Sequence, residues 1–309
     1  MLNSFRTIGE QILIVFLLMA VGYIGGKRGM IDNALADGMT DLCMKITIPL
    51  SIILAFQREF ETRLVREFLL SILLAGAGYL IASPIAWLTI RDPDRKRQNT
   101  LRFTAIFSNC AMMAIPLQEA MFGTDGVFCG AAAVAMFNIV FWPFGTAVMA
   151  PAEKQDIIKK SLLNPCVLAT AGALLLFFFR ISIPAVPAKA ISHLAALNLP
   201  LCMIVLGQKL TRKPLRQLFA DRGGLLAAAE RLVLFPLLMI LLLLALNIRG
   251  TTGMCALTAM ASPAAASVVM IAVAYRQDAE LAASSVAVST VLSLITMPLM
   301  IALGGWLLL

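Results

Sequence analysis

Apolar stretches of about twenty residues succeed one another along the whole chain, separated by short polar connections. Coiled as a helix, a run of that length matches the roughly 30 Å hydrocarbon core of a bilayer. The runs lack the apolar–polar alternation of barrel strands, and lipid offers no partner to an open backbone, so each is predicted to be a helix. Ten spans follow: 8–26, 35–56, 66–90, 103–122 and 127–149, then 162–180, 188–209, 224–247, 252–275 and 280–308. The polar segment Pro151–Lys160 separates the two sets, so residues 1–150 and 151–309 read as two five-helix units. No connection is long enough to hold a soluble domain. The first apolar run, Ile12–Ile24, has no basic leader and no small-x-small cleavage site, and Lys27–Arg28 follows it. It is read as a retained span rather than a signal peptide.

Composition agrees with an all-α polytopic membrane protein. Of 309 residues 60% are hydrophobic and 14% charged, and the mean hydropathy is +0.90. The net charge of +8 does not indicate nucleic acid, because the basic residues sit in short loops between apolar runs. The connections at 27–34, 91–102, 150–161, 209–223 and 276–279 carry 16 Lys or Arg, against 7 in the N-terminus and the other connections. The positive-inside bias therefore places the first group in the cytoplasm and both termini outside. Trp87, Trp142 and Trp306 lie towards span ends, where indole rings favour the interface. Cys43, Cys110, Cys129, Cys166, Cys202 and Cys255 are scattered, with no CxxC or Cys/His pairing, and read as packing residues rather than metal ligands or disulfides.

Five spans per half force the halves into opposite orientations, which is the arithmetic of an inverted repeat. Prolines recur in matching order: Pro49 and Pro200 in spans 2 and 7, Pro116 and Pro263 in spans 4 and 9, Pro143 and Pro298 in spans 5 and 10. Spans 4 and 9 carry the most chemistry. Span 4 reads Phe107-Ser108-Asn109-Cys110-Ala111-Met112-Met113-Ala114-Ile115-Pro116, and span 9 reads Met260-Ala261-Ser262-Pro263-Ala264-Ala265-Ala266-Ser267. An interior proline removes a backbone donor and clashes with the preceding turn, and in lipid such a break is tolerated where it faces protein or a wet cavity. Small residues let a second backbone come close. The expected site is therefore a crossing of two discontinuous helices near mid-membrane, built from Ser108, Asn109, Pro116, Ser262, Pro263 and Ser267, with half-helix N-termini offering N–H groups to an anion. Taken singly, each proline is better explained by a kink between packed helices; the matched pair beside Asn109, Ser262 and Ser267 favours a site.

Asn138 in span 5 is either interhelical glue or part of the pocket, and Ser51, just after Pro49, is a weaker candidate. Asp41 and Lys45 are spaced to pair on one helix face, with Lys45 snorkelling to the interface. Glu230 and Arg231 are assigned to the cytoplasmic end of span 8. Gln118 and Glu119 either line an exit path or mark a solvated end of span 4. His193 falls near an outer loop, which argues against a histidine relay.

These motifs carry a family resemblance along nearly the whole chain. It is strongest in Ser262-Pro263 through Tyr275, Asp278-x-Glu280-Leu281-Ala282 and Ser289-Thr290-Val291-Leu292-Ser293-Leu294-Ile295-Thr296-Met297-Pro298. Asn109 with Pro116 seven residues on is similar to an Asn-x-Gly-Phe-x-Gly-x-Pro signature, with Ala111 and Ala114 in place of its glycines, and the Pro49 and Pro200 spans and Gly207 also fit. The chain resembles the auxin efflux carrier family in its bacterial branch, which includes malonate and other organic-anion permeases. The resemblance implies two inverted five-helix repeats, a scaffold of spans 1, 2, 6 and 7, and a transport domain of spans 3–5 and 8–10 that moves like an elevator. It further implies a homodimer in the bacterial inner membrane. Its implied function is secondary transport of a small organic anion, with Asn109, Pro116 and Pro263 at the crossover and Ser51 and Asn138 near the substrate. No cofactor is implied, and coupling to H+ or Na+ stays open. The long cytoplasmic loop of the plant hormone carriers is absent. A transporter-like sensor and a membrane enzyme on lipid-linked substrate are the alternatives; the nearest enzyme-like cluster, Asp92 and Asp94 beside Arg95–Arg97, reads better as a solvated loop.

Overall fold

Helices form where the hydrophobic pattern places them. In the computed structural model, which describes residues 2–57, 61–149, 165–209, 211, 219 and 221–309, the described chain is helical and contains no extended strand. The first half runs α1 (Leu2–Lys27), α2 (Asn33–Leu42), α3 (Ile48–Ala55), α4 (Thr62–Thr89), α5 (Arg95–Ile106) and α6 (Ile115–Met149). The second runs α7 (Pro165–Phe178), α8 (Ala185–Ala195), α9 (Asn198–Lys209), α10 (Arg222–Ala229), α11 (Phe235–Ala245), α12 (Gly250–Ala261), α13 (Ser267–Ala274) and α14 (Ala279–Leu308). The divider Pro151–Lys160, residues 162–164 and most of the 209–223 connection lie outside the described residues.

Among the described residues, six helical stretches are long and apolar enough to cross a membrane: Asn33–Ala55, Thr62–Thr89, Cys110–Phe141, Ala185–Gln208, Arg222–Ala245 and Ala279–Leu308. Leu17–Lys27 and Pro165–Phe178 are shorter apolar helices. Large apolar side chains such as Leu17, Leu73, Leu80, Leu241 and Ile295 are exposed around the outside, as lipid contact requires. All six cysteines are buried, in keeping with packing roles.

Proline sets the local geometry in a way the pattern did not foretell. Single π-helical turns occupy Cys43–Thr47, Cys110–Ala114 and Glu230–Leu234, and each is followed after one residue by a proline: Pro49, Pro116 and Pro236. A proline has no N–H to give to the fourth carbonyl back and its ring clashes there. The widened turn relieves the clash, and the residue before the proline reaches five back instead, as in Ile48 N–H to Cys43 O, Ile115 to Cys110 and Phe235 to Glu230. Gly123, with φ 59° and ψ −139°, turns the chain inside α6, a conformation open to glycine, and so separates expected spans 4 and 5.

Four helices start on an aspartate whose side chain accepts a backbone N–H of the first turn: Asp32 for α2, Asp94 for α5, Asp221 for α10 and Asp278 for α14. The Asp92–Arg97 segment is thus more than a solvated loop. Arg97 reaches Asp92 (3.3 Å), Asp221 (2.6 Å) and Asp278 (3.8 Å), tying the entries of α5, α10 and α14 together. Asp41 and Lys45 pair at 2.5 Å on an exposed helix face, as their spacing predicts.

Candidate functional site

The chain unwinds twice, and the two unwound segments cross. Helix α5 ends at Ile106 and the next helical turn starts at Cys110; α12 ends at Ala261 and α13 starts at Ser267. Between them Ser108 and Ala264 form an isolated antiparallel bridge. Asn109 N–H donates to Pro263 O (2.7 Å) and Ala265 N–H donates to Phe107 O (2.9 Å). Each break thereby satisfies backbone groups of the other, which is how irregular backbone survives at membrane depth. The Ser289 hydroxyl of α14 takes a further one, accepting Ala264 N–H at 3.1 Å.

Ser108, Asn109, Ser262, Pro263 and Ser267 are brought together at this crossing. Ser262 is fully buried and donates to Thr258 O (2.9 Å), so its hydroxyl serves its own helix. Asn109 is half-buried, with φ −80° and ψ 58°, and its side chain does not cap the turn it precedes. Ser267 is half-buried at the start of α13. The unwinding falls at Phe107–Asn109, however, and not at Pro116, which sits buried in the first turn of α6 behind a π turn. There the proline widens the helix, while the unwound backbone at Phe107–Asn109 is held by hydrogen bonds to the other break. Asn138 is buried and donates to Val134 O (2.9 Å), on the helix whose Phe137 and Phe141 rings pack on Phe107. Ser51 is buried against α8, donating to Ala195 O at 3.4 Å, and does not line the cavity at the crossing.

Glu230 and Arg231, expected at a helix end, are both buried, at 4% and 1% exposure. Glu230 faces Thr89 at the end of α4, whereas Arg231 reaches the crossing. Its Nη1 donates to Ala105 O (3.3 Å) and Ile106 O (2.8 Å), and its Nη2 to Met260 O. One guanidinium therefore caps the C-terminal ends of both broken helices, α5 and α12. The π turn before Pro236 carries it, so an arginine five residues ahead of an intramembrane proline was the available signal. Gln118 is not solvated either: it is fully buried and its Nε2 donates to Cys255 O at 2.8 Å. Glu119 accepts from Asn198 Nδ2 at 3.3 Å, joining α6 to α9.

A cavity of about 30 Å³ lies against the crossing, with Ser71 and Tyr79 of α4, Ser108, Cys110 and Arg231 among its walls. The remaining lining is small or apolar, including Gly78, Ala133 and Met260.

The sequence matches the profile of a family described as membrane transport protein over residues 7–159 and 154–301. It is 26% identical to an uncharacterized transporter of Methanocaldococcus jannaschii, covering 97% of this chain and 98% of the relative. It is 24% identical to an uncharacterized transporter of Methanothermobacter thermautotrophicus, covering 94% and 96% respectively.

Proposed function

Since the chain belongs to the auxin efflux carrier family of membrane transport proteins, and is a membrane transporter rather than an enzyme, we propose that it carries a small organic anion, a carboxylate, through the crossing of its broken helices. The crossing itself carries this reading. Arg231 neutralises the negative ends of α5 and α12, while the turn at Cys110 has no side-chain cap and the first turns there and in α13 hold no acidic residue. The field left at the crossing favours an anion, and in this reading the Asn109 side chain, which does not cap its own turn, hydrogen-bonds it.

The finer architecture belongs to the same proposal. The helices serve as ten spans in two inverted five-helix repeats, 1–150 and 151–309, in a bacterial inner membrane with both termini outside. Spans 1, 2, 6 and 7 form a scaffold, on which a second copy assembles as a homodimer, and spans 3–5 and 8–10 move as an elevator. The intimate packing of α1 on α9 supports a rigid scaffold: a Cβ on Gly22 would fall 1.9 Å from Ile204 O, and one on Gly207 1.9 Å from Met19 O. The Glu119–Asn198 bond is then a contact between the moving and fixed parts.

The test is uptake of labelled malonate and other small carboxylates into liposomes holding purified protein. Asn109→Ala is expected to lower transport at least tenfold with an unchanged melting temperature. A wild-type rate from that variant removes the crossing from the mechanism.

A further inference from the structure

The crossing has a cavity beside it that the proposed route through Asn109 does not use. Asn109 is not among the residues lining the cavity, whereas Arg231, Ser108, Cys110 and Tyr79 are. The Arg231 side chain is buried, and it forms no ion pair among the described residues. Its two Nη atoms are used on three carbonyls, but Nε is buried without a hydrogen-bond partner. Carbonyl dipoles offset only part of a full positive charge, and a buried cation with an open donor is costly unless an anion meets it. Among the described residues, no carboxylate lines the cavity.

We propose that this cavity binds one small monoanionic group, either the carboxylate head of the transported acid or a free ion such as chloride. The size fits that class. About 30 Å³ exceeds the roughly 10–15 Å³ that a single water needs, so the cavity has room for a small ion or a carboxylate head. The donors fit it too: Arg231, Tyr79 and Ser108 are all among the residues lining one mostly apolar space. The π turn ahead of Pro236 carries Arg231 on the wall of this space. The chloride source is independent of the transport reading, and only the carboxylate source rests on it.

The test is thermal unfolding of the purified full chain in detergent, in halide-free sulfate buffer, titrated separately with chloride, acetate and acetamide. Wild-type protein is expected to gain at least 3 °C, saturably, with chloride, acetate or both, and nothing with acetamide. Chloride alone identifies a free ion, acetate alone a carboxylate head, and both a site for either. Arg231→Gln is expected to lose the shift and Arg231→Lys to weaken it. Should the Arg231 variants fail to fold, Ser108→Ala decides, with an expected loss of apparent affinity of at least fivefold. No saturable shift in the wild type, an equal shift with acetamide, or an unchanged affinity in Ser108→Ala overturns the proposal. Anion binding that persists in a protein moving no carboxylate would leave this site standing and sink only the transport reading.

Discussion

Arg231 and Gln118 are buried polar side chains committed to backbone carbonyls, and each holds a broken or bent helix against its neighbour. Gln118 fastens the first turns of α6 to the middle of α12 through Cys255 O. Removing that bond with Gln118→Ala is expected to destabilise the protein by about 1 kcal/mol, since hydrogen bonds between membrane helices contribute in that range. A melting temperature a few degrees lower, with substrate affinity unchanged, is the outcome to look for; unaltered melting would show that the bond adds nothing. Asn109 differs from both in keeping its amide out of the capping of its own turn, and for that reason its loss is predicted to appear in transport rather than in stability.

At the scale of elements, the proline-linked π turns and the glycine contacts make distinct predictions. Replacing Pro236 by alanine restores the missing N–H and removes the clash that maintains the π turn, so the segment is free to wind as an α-helix. That change would rotate Arg231 away from the ends of α5 and α12. Pro236→Ala is accordingly expected to lower transport severalfold while the helix content measured by circular dichroism stays the same, and a fully active variant would refute the role given to the turn. Gly207→Ala tests the α1–α9 contact, where a new Cβ would meet Met19 O at 1.9 Å. The helices must separate, at a cost of about 1–3 kcal/mol. Gly38→Ala on α2 is the control: a Cβ there has nothing within 4 Å, and the helix gains up to about 1 kcal/mol. Equal melting temperatures for the two variants would mean the close approach is not maintained.

Across the whole molecule, the Arg97 cluster connects three helix entries that are distant in sequence. Burial raises the Asp221 carboxyl, but hydrogen bonds from Arg97 and from the Gly224 N–H, with the charge of Arg97, outweigh it and hold Asp221 below its ordinary range. Stability from this lowered group is present above the ordinary carboxylate range and is lost as pH falls through the lowered value. Arg97 is correspondingly held above its ordinary value, chiefly by the Asp221 hydrogen bond, and stays charged throughout. Unfolding measured from pH 7 down to pH 3 is expected to show an acid decline that Asp221→Asn reduces. The effect at neutral pH should stay within about 1 kcal/mol, because all the partners are part-exposed. An identical acid decline in the variant would show that the cluster does not link pH to stability.

The hydrophobic runs by themselves determined the helices, because a span in lipid must close its own backbone bonds and its length is fixed by bilayer thickness. The matched prolines and the small polar residues around them also pointed to the two segments that unwind and pair at Ser108 and Ala264, since breaks need both a cause and room. What the sequence could not fix was where each break falls. Pro116 and Pro263 look alike on paper, yet one widens a helix and the other lies in an unwound crossing, because the crossing forms where a second chain segment supplies the missing hydrogen bonds. The place of Ser51, turned to α8, likewise follows from which helix packs beside it. Arg231 shows the same limit most clearly: its partners, Ala105, Ile106 and Met260, are main-chain carbonyls of two other helices. Every residue has such a carbonyl, so nothing in the letters distinguishes these three, and only tertiary packing brings them to one guanidinium.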